Sequence, residues 1–272
     1  MALTLEQKAP NLSRLVPTDQ AGHWYTEQGE SAHVIMGKSG KERNTTVADA
    51  RKLGLLPSVT SILSAMDKPQ LTAWRIEQAI MSSLTLPKQE GETLEEYARR
   101  VVKDSKESTT AAAEHGTLMH TEMENILLKR PTSKEPKLQP YIQTFKEWAD
   151  ANIEKTHWCE RALVGAGYAG RCDAYVRLRG IGDAIVDLKN RKVNPKYDPF
   201  YDSDCAQLWA YRSASENQDA SCVSIVLASN DPTKLKTKQW DNKELYEAGV
   251  GFMALLKVWA WSKQYVPPGM KV

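Results

Sequence analysis

Apolar residues recur at helical spacing through the first half of the chain and at strand spacing through much of the second. Residues 1–50 are polar and irregular, with short strands expected at "HWYTE" and "SAHVIM". "GLLPSVTSIL" (54–63) reads as a turn into a helix, with Pro57 and Ser58 at the cap and Thr60 in the first turn. Residues 69–84 and 92–105 predict two helices separated by "TLPKQEGET". Residues 110–129 predict a third, with Leu118, Met123, Ile126 and Leu127 at core spacing. A fourth covers 138–153, with Tyr141, Ile142, Phe145 and Trp148 as its apolar stripe. The rhythm then changes. "HWCERALV" (157–164), "RCDAYVRL" (171–178), "DAIVDLK" (183–189) and "SCVSIVLAS" (221–229) predict strands bounded by Gly, Asn or Asp. Helices are expected over 203–215 and 243–264. This order predicts an α/β fold: a central mixed β-sheet flanked by helices, with an N-terminal helical portion. The boundary is placed between an N-terminal part, 1–110, and a core, 111–272.

Composition narrows the class without naming a function. The chain has 272 residues, 41% apolar and 26% charged, as expected of a soluble globular protein able to bury a sizeable core. No apolar run approaches the roughly 18–20 residues of a membrane span. The start "MALTLEQKAP" lacks the pattern of a secretory signal, so a cytoplasmic location with no membrane partner is expected. The net charge of +2 does not by itself point to nucleic acid. "KNRKVNPK" (189–196) and "KLKTK" (234–238) are basic, and each alone reads as a solvated loop. Cys159, Cys172, Cys205 and Cys222 lie far apart without metal-ligand spacing, so buried reduced thiols are expected, with no zinc and no iron–sulfur cluster.

Candidate chemistry sits in "GYAGRCDAYVRLRGIGDAIVDLKNRKV" (167–193). If "RGIGD" closes an antiparallel hairpin, Asp173 at the start of one strand meets Asp187 near the end of the other. Ile185, Asp187 and Lys189 then share one face, leaving Val186 and Leu188 to enter the core. Two close carboxylates repel one another unless a cation neutralises them. Mg²⁺ suits such a site because it takes oxygen ligands and few protein carboxylates. Lys189, protonated, can position the attacking water or neutralise a phosphate. The other reading is a surface Asp–Lys pair, since D-x-K alone is a common triplet. Three more features accompany it. His120 and Glu124 lie one helical turn apart, Glu160 falls inside a strand, and Gln207 and Tyr211 share a helix face. Each alone is as readily structural.

Taken in order, His120, Glu160, Gly170-Arg171-Cys172-Asp173, Asp187-Leu188-Lys189 and Gln207 to Tyr211 resemble the RecB-type branch of the PD-(D/E)xK nuclease superfamily. Over roughly 56–215 the chain is further similar to the mitochondrial genome maintenance exonucleases and their bacterial and phage relatives. Asn190 departs from the small hydroxyl residue that often follows the lysine. The resemblance implies a restriction-endonuclease-like core and hydrolysis of DNA with one or two Mg²⁺ or Mn²⁺ ions. Asp173, Asp187 and the Leu188 carbonyl would be metal ligands, with His120 as a ligand or orienting group. Lys189 would position water, Glu160 would orient Lys189 or the water, and Gln207 and Tyr211 would steady the DNA and the lysine. The N-terminal portion would form a passage for single-stranded DNA. There Ser58 and Thr60 would meet phosphate, and Trp74 and Arg75 would stack and pair with the strand. Beside the site, Arg191 and Lys192 would guide phosphate. Iron–sulfur relatives carry a cysteine before the nuclease motifs, and this chain has none before His120.

The expected activity is therefore a metal-dependent exonuclease preferring single-stranded DNA with free ends, in phage recombination or DNA repair. A recombination or single-strand-binding protein is the candidate protein partner. An endonuclease on the same core and a non-catalytic DNA-end-binding protein remain alternatives.

Overall fold

The computed structural model describes residues 22–37 and 39–271. Its elements in chain order are β1 (Trp24–Tyr25), β2 (Val34–Met36), β3 (Glu42–Asn44), α1 (Val47–Leu53), β4 (Leu56–Pro57), α2 (Val59–Leu63), α3 (Pro69–Thr85), α4 (Leu94–Leu127) and α5 (Gln139–Asn152). There follow β5 (Ile153–Gly165), β6 (Tyr168–Leu178), β7 (Gly182–Arg191), α6 (Asp202–Ala214), β8 (Ser221–Ala228), β9 (Leu235–Trp240) and α7 (Asn242–Lys263). The described residues divide into two units, Asp67–His115, and residues 22–66 with residues 116–271. Residues 22–66 thus group with the sheet, whereas the sequence boundary at 110 separates them from it.

In the smaller unit, the expected helices over 92–105 and 110–129 are one helix, α4, whose C-terminal part from Gly116 counts with the larger unit. No Gly or Pro interrupts "SKESTTAAAEH" (105–115), so nothing ends the helix there. Thr93 and Glu96 exchange capping hydrogen bonds at the start of α4. The Tyr97 hydroxyl donates to the Ser83 carbonyl at 2.6 Å, fastening α4 to α3.

The larger unit is built on a five-stranded sheet of order β5-β6-β7-β8-β9, in which only β7 and β8 are parallel. A parallel pair needs a crossover, and α6 supplies it. Gly180 and Gly182 take positive φ, 73° and 94°, which lets the β6–β7 turn close. One sheet face packs Val186, Leu188, Val223 and Ile225 against Met119 and Met123 of α4 and Phe145 of α5. The other packs Ile185 and Cys222 against α2, α6 and α7. Both faces of β7 are therefore covered, and Ile185 is buried as fully as Val186 and Leu188. The core residue on α4 is Met119 rather than Leu118, which is exposed. The helix is rotated so that Met119 and Met123, one turn apart, share the sheet-facing side.

The expected loop "KLKTK" is the edge strand β9, antiparallel to β8. Its lysines keep that edge charged, and the Lys238 ammonium lies 3.8 Å from the centre of the Trp240 ring. Cys172, Cys205 and Cys222 are buried and free, and burial pushes the thiols of Cys205 and Cys222 up to about 12. Among the described residues no helix is long and apolar enough to cross a membrane.

Candidate metal centre

The site lies where β6 leaves β7. Their ladder runs from Leu178↔Gly182 to Ala174↔Val186 and stops before Asp173 and Asp187, the next opposed pair. Beyond that point β6 pairs with β5, with a single parallel bridge from Ala169 to Ser58. Asp173 lies in the middle of β6 rather than at its start, because β5 pairing extends the strand back to Tyr168. The Leu188 N–H, left without a backbone partner on β6, donates to Asp173 Oδ2 at 2.6 Å. A strand residue projects its N–H and C=O to the same side, so the Leu188 carbonyl faces Asp173 as well.

On the other side of Asp173, β5 carries Glu160. The pairs Cys159↔Ala174 and Arg161↔Cys172 flank it, and the register places Glu160 opposite Asp173. Its φ is +49°, in the left-handed region that a non-glycine residue seldom adopts. Such backbone costs roughly 1–2 kcal/mol. His120 of α4 completes the group: ligand atoms of His120, Glu160 and Asp173 all lie within 4.8 Å of one another. His120 Nδ1 is 3.9 Å from Asp173 Oδ2. Burial lowers the His120 pKa, opposed by Asp173 and aided by Lys189, which favours the neutral imidazole that a metal requires. Burial, then Asp173 and Glu124, raise Glu160 to about 7, against the pull of Arg171.

Asp187 stands outside this trio. It is fully buried, and its Oδ1 accepts from the Lys189 ammonium at 2.5 Å. Its Oδ2 is buried with no hydrogen-bond partner. Burial, with Asp173 and Asp204 adding to it, raises Asp187 to about 7 despite Lys189. Burial also works against the Lys189 ammonium, but Asp187 and Asp173 outweigh it and hold the lysine charged. Lys189 donates on to Gln207 Oε1 at 3.4 Å, and Gln207 Nε2 to the Tyr211 hydroxyl oxygen at 3.3 Å. Gln207 and Tyr211 are both buried on one face of α6. Gly170 lies beneath the tyrosine: a Cβ there would come within 3.0 Å of the Tyr211 ring.

The donor set fits a divalent cation. His120, Glu160 and Asp173 gather one imidazole and two carboxylates, and beside them the buried Asp187 Oδ2 lacks the partner that such groups ordinarily have. Three acids against two cations, Lys189 and Arg171, leave an excess negative charge that a metal ion would neutralise.

The other predicted residues are placed differently. Glu160 groups with His120 and Asp173, whereas the hydrogen-bonding partners of Lys189 are Asp187 and Gln207. Arg191 forms a bidentate pair with Asp204, at 3.0 and 2.9 Å, and lies over the Tyr201 ring. Its guanidinium is thus committed to the start of α6. Lys192 is exposed. Ser58 is buried as the N-cap of α2, accepting from the Ser61 N–H, and its hydroxyl lies 3.0 Å from that of the exposed Thr60. Trp74, half-buried, and Arg75, exposed, lie on α3 in the smaller unit. Two residues absent from the predicted set border the site. Arg171 shares the Asp173 face of β6 by strand alternation, and its guanidinium lies 3.8 Å from Glu160. Glu124, one turn after His120, pairs with Arg130 at 3.2 Å. Both signals were in the sequence as spacing two and spacing four.

No protein-family model matches the chain, and no curated protein matches it. Among solved structures, the crystal structure of SSO0001 is similar with a TM-score of 0.28 and 13% identity, covering 68% of this chain and 86% of that one.

Proposed function

We propose that the chain is a metal-dependent nuclease of the PD-(D/E)xK type, acting as an exonuclease on single-stranded DNA with free ends. The observation that carries the hydrolytic reading is Asp187, buried with one oxygen on Lys189 and the other without a partner, beside the His120–Glu160–Asp173 trio. A merely structural ion pair has no use for an unsatisfied buried oxygen, since leaving one costs about 1–3 kcal/mol. The preference for DNA and for free ends rests on the motif resemblance over roughly 56–215.

In this reading Asp173, Asp187, His120 and the Leu188 carbonyl would hold Mg²⁺ or Mn²⁺, one ion or two, which would supply positive charge to the scissile phosphate and acidify water. Lys189 Nζ, held charged and aimed by Asp187 Oδ1 and Gln207 Oε1, donates hydrogen bonds to the attacking water or to a phosphate oxygen. Tyr211 fixes Gln207, and so the lysine. Glu160, raised toward neutrality, takes up a proton near working pH. Arg171 offers a further cation on the same face.

The test is digestion of linear and circular single-stranded DNA with Mg²⁺ or Mn²⁺, using 5′- and 3′-labelled strands. Linear strands should be degraded from one or both ends and circles spared. Circles cut as fast as linear strands would replace the exonuclease with an endonuclease. Binding to ends without metal-dependent turnover would replace it with an end-binding protein. Asp173→Asn and Lys189→Ala should each lower turnover by about a thousandfold or more in protein that is still folded, as circular dichroism would show. Full activity in either variant sinks the site assignment.

A further inference from the structure

Helix α7 carries a second ordered face that is left exposed among the described residues. Its inner side, Leu245, Phe252, Leu256 and Trp259, is buried, with α6 and α2 as the helices it packs on. On the outer side Lys243, Glu247, Val250, Ala254, Lys257 and Trp261 are all exposed and recur at alternating intervals of four and three. That is the rhythm of one helix packed along another. Tyr246 and Val258 flank the row. Tyr246 is 70% exposed, Val250 58%, Val258 51% and Trp261 75%, so four large apolar side chains lie open along one side of the helix. A groove of about 450 Å³ runs along the same face between Trp209 of α6 and Tyr246, Val250, Met253 and Lys257.

The row is complementary to itself when reversed. Laid antiparallel about a twofold axis midway between Val250 and Ala254, each residue meets a suitable one in the second helix. Val250 faces Ala254, Glu247 faces Lys257, and Lys243 faces the Trp261 ring, while Tyr246 and Val258 border opposite edges of the seam. Every pair occurs twice by symmetry. Apolar contacts fall at the centre, opposite charges next, and a cation–aromatic pair at each end. Gly251, where an added Cβ would meet nothing, and Ala254 let the two helices approach closely at the axis.

We propose that this face of α7 is a dimerisation surface whose occupant is α7 of a second copy of this chain, antiparallel and twofold symmetric. The inference does not depend on the nuclease reading. One helix pair and its groove bury less than a standard interface, so the dimer should be weak and concentration-dependent, in roughly the micromolar range.

The experiment is sedimentation equilibrium of the full chain over a dilution series, with thermal midpoints confirming that each variant is folded. The wild type should show monomer–dimer exchange. Val250→Glu, placing a charge at the centre, should raise the dissociation constant about a hundredfold. Glu247→Lys alone sets lysine against lysine, and Lys257→Glu alone sets glutamate against glutamate. Each should weaken the dimer about tenfold, and the double variant should restore it. A wild type that stays monomeric throughout, a dimer indifferent to Val250→Glu, or a double variant no tighter than the singles would overturn the proposal.

Discussion

Glu160 shows at a single residue how the site stores conflict. Its backbone occupies left-handed space at φ +49°, in the middle of a strand, opposite the carboxylate of Asp173. Backbone strain of this kind collects where surrounding structure over-determines a residue. Glycine takes that φ without strain, and removing the carboxylate removes its repulsion with Asp173. Glu160→Gly should therefore be more stable than Glu160→Ala by roughly 1 kcal/mol, with both catalytically impaired. Chemical denaturation of the two variants, followed by the linear-strand assay, checks this. Equal stability would mean that the backbone there relaxes freely. A sequence pattern could offer Glu160 as a carboxylate in a strand. It held no trace of the φ, because nothing local in "HWCERALV" requires it.

At the scale of elements, the site depends on how α6 rests on β6. Tyr211 reaches Lys189 through Gln207, and Gly170 of β6 leaves room for its ring. A methyl at Gly170 would meet Tyr211 at 3.0 Å and Val59 of α2 at 3.3 Å, both fully packed neighbours. Gly170→Ala should thus destabilise by about 1–3 kcal/mol through overpacking. It should also lower turnover more than substrate binding, because the displaced chain ends on the lysine. A variant that loses stability yet keeps wild-type turnover would show that Tyr211 does not position Lys189. Much at this level was legible in advance. The β6–β7 hairpin, the crossover helix and the Gln207–Tyr211 face all follow from period-two and period-3.6 patterning. The joined α4 and the strand β9 were not. A polar Ser/Thr-rich stretch and a lysine-rich stretch look like loops until neighbours pair with or extend them.

For the molecule as a whole, the excess of acids over cations at the centre makes stability respond to pH and to metal together. Glu160 and Asp187 are both raised to about 7, chiefly by burial. A carboxyl raised in the folded state keeps a proton that the unfolded chain has already lost. Metal-free stability should therefore fall as pH climbs from the ordinary carboxylate range, about 4, toward about 7. Millimolar Mg²⁺ or Mn²⁺ should offset that fall, adding about 2.7 kcal/mol when present at a hundred times its dissociation constant. Thermal midpoints across pH, with and without the cation, report both effects. Asp187→Asn should flatten the metal-free slope and abolish most of the cation response, whereas Lys189→Ala should retain the response. A midpoint unmoved by either cation at neutral pH would count against a metal centre.

By itself the sequence determined the element types and the sheet-and-helix class, since these are written in periodicity, while the resemblance in motif order singled out the residues of the centre. Only the tertiary structure decided their roles relative to one another. The register that opposes Asp173 to both Glu160 and Asp187 arises from two separate strand pairings. The lone oxygen of Asp187 is a matter of burial, the commitment of Arg191 to Asp204 a matter of where α6 begins, and the grouping of residues 22–66 with the sheet a matter of long-range packing. The physical reason is common to all four. Patterning records what each residue does within its own strand or helix, whereas charge balance, strain and hydrogen-bond satisfaction are properties of neighbours far apart in the chain.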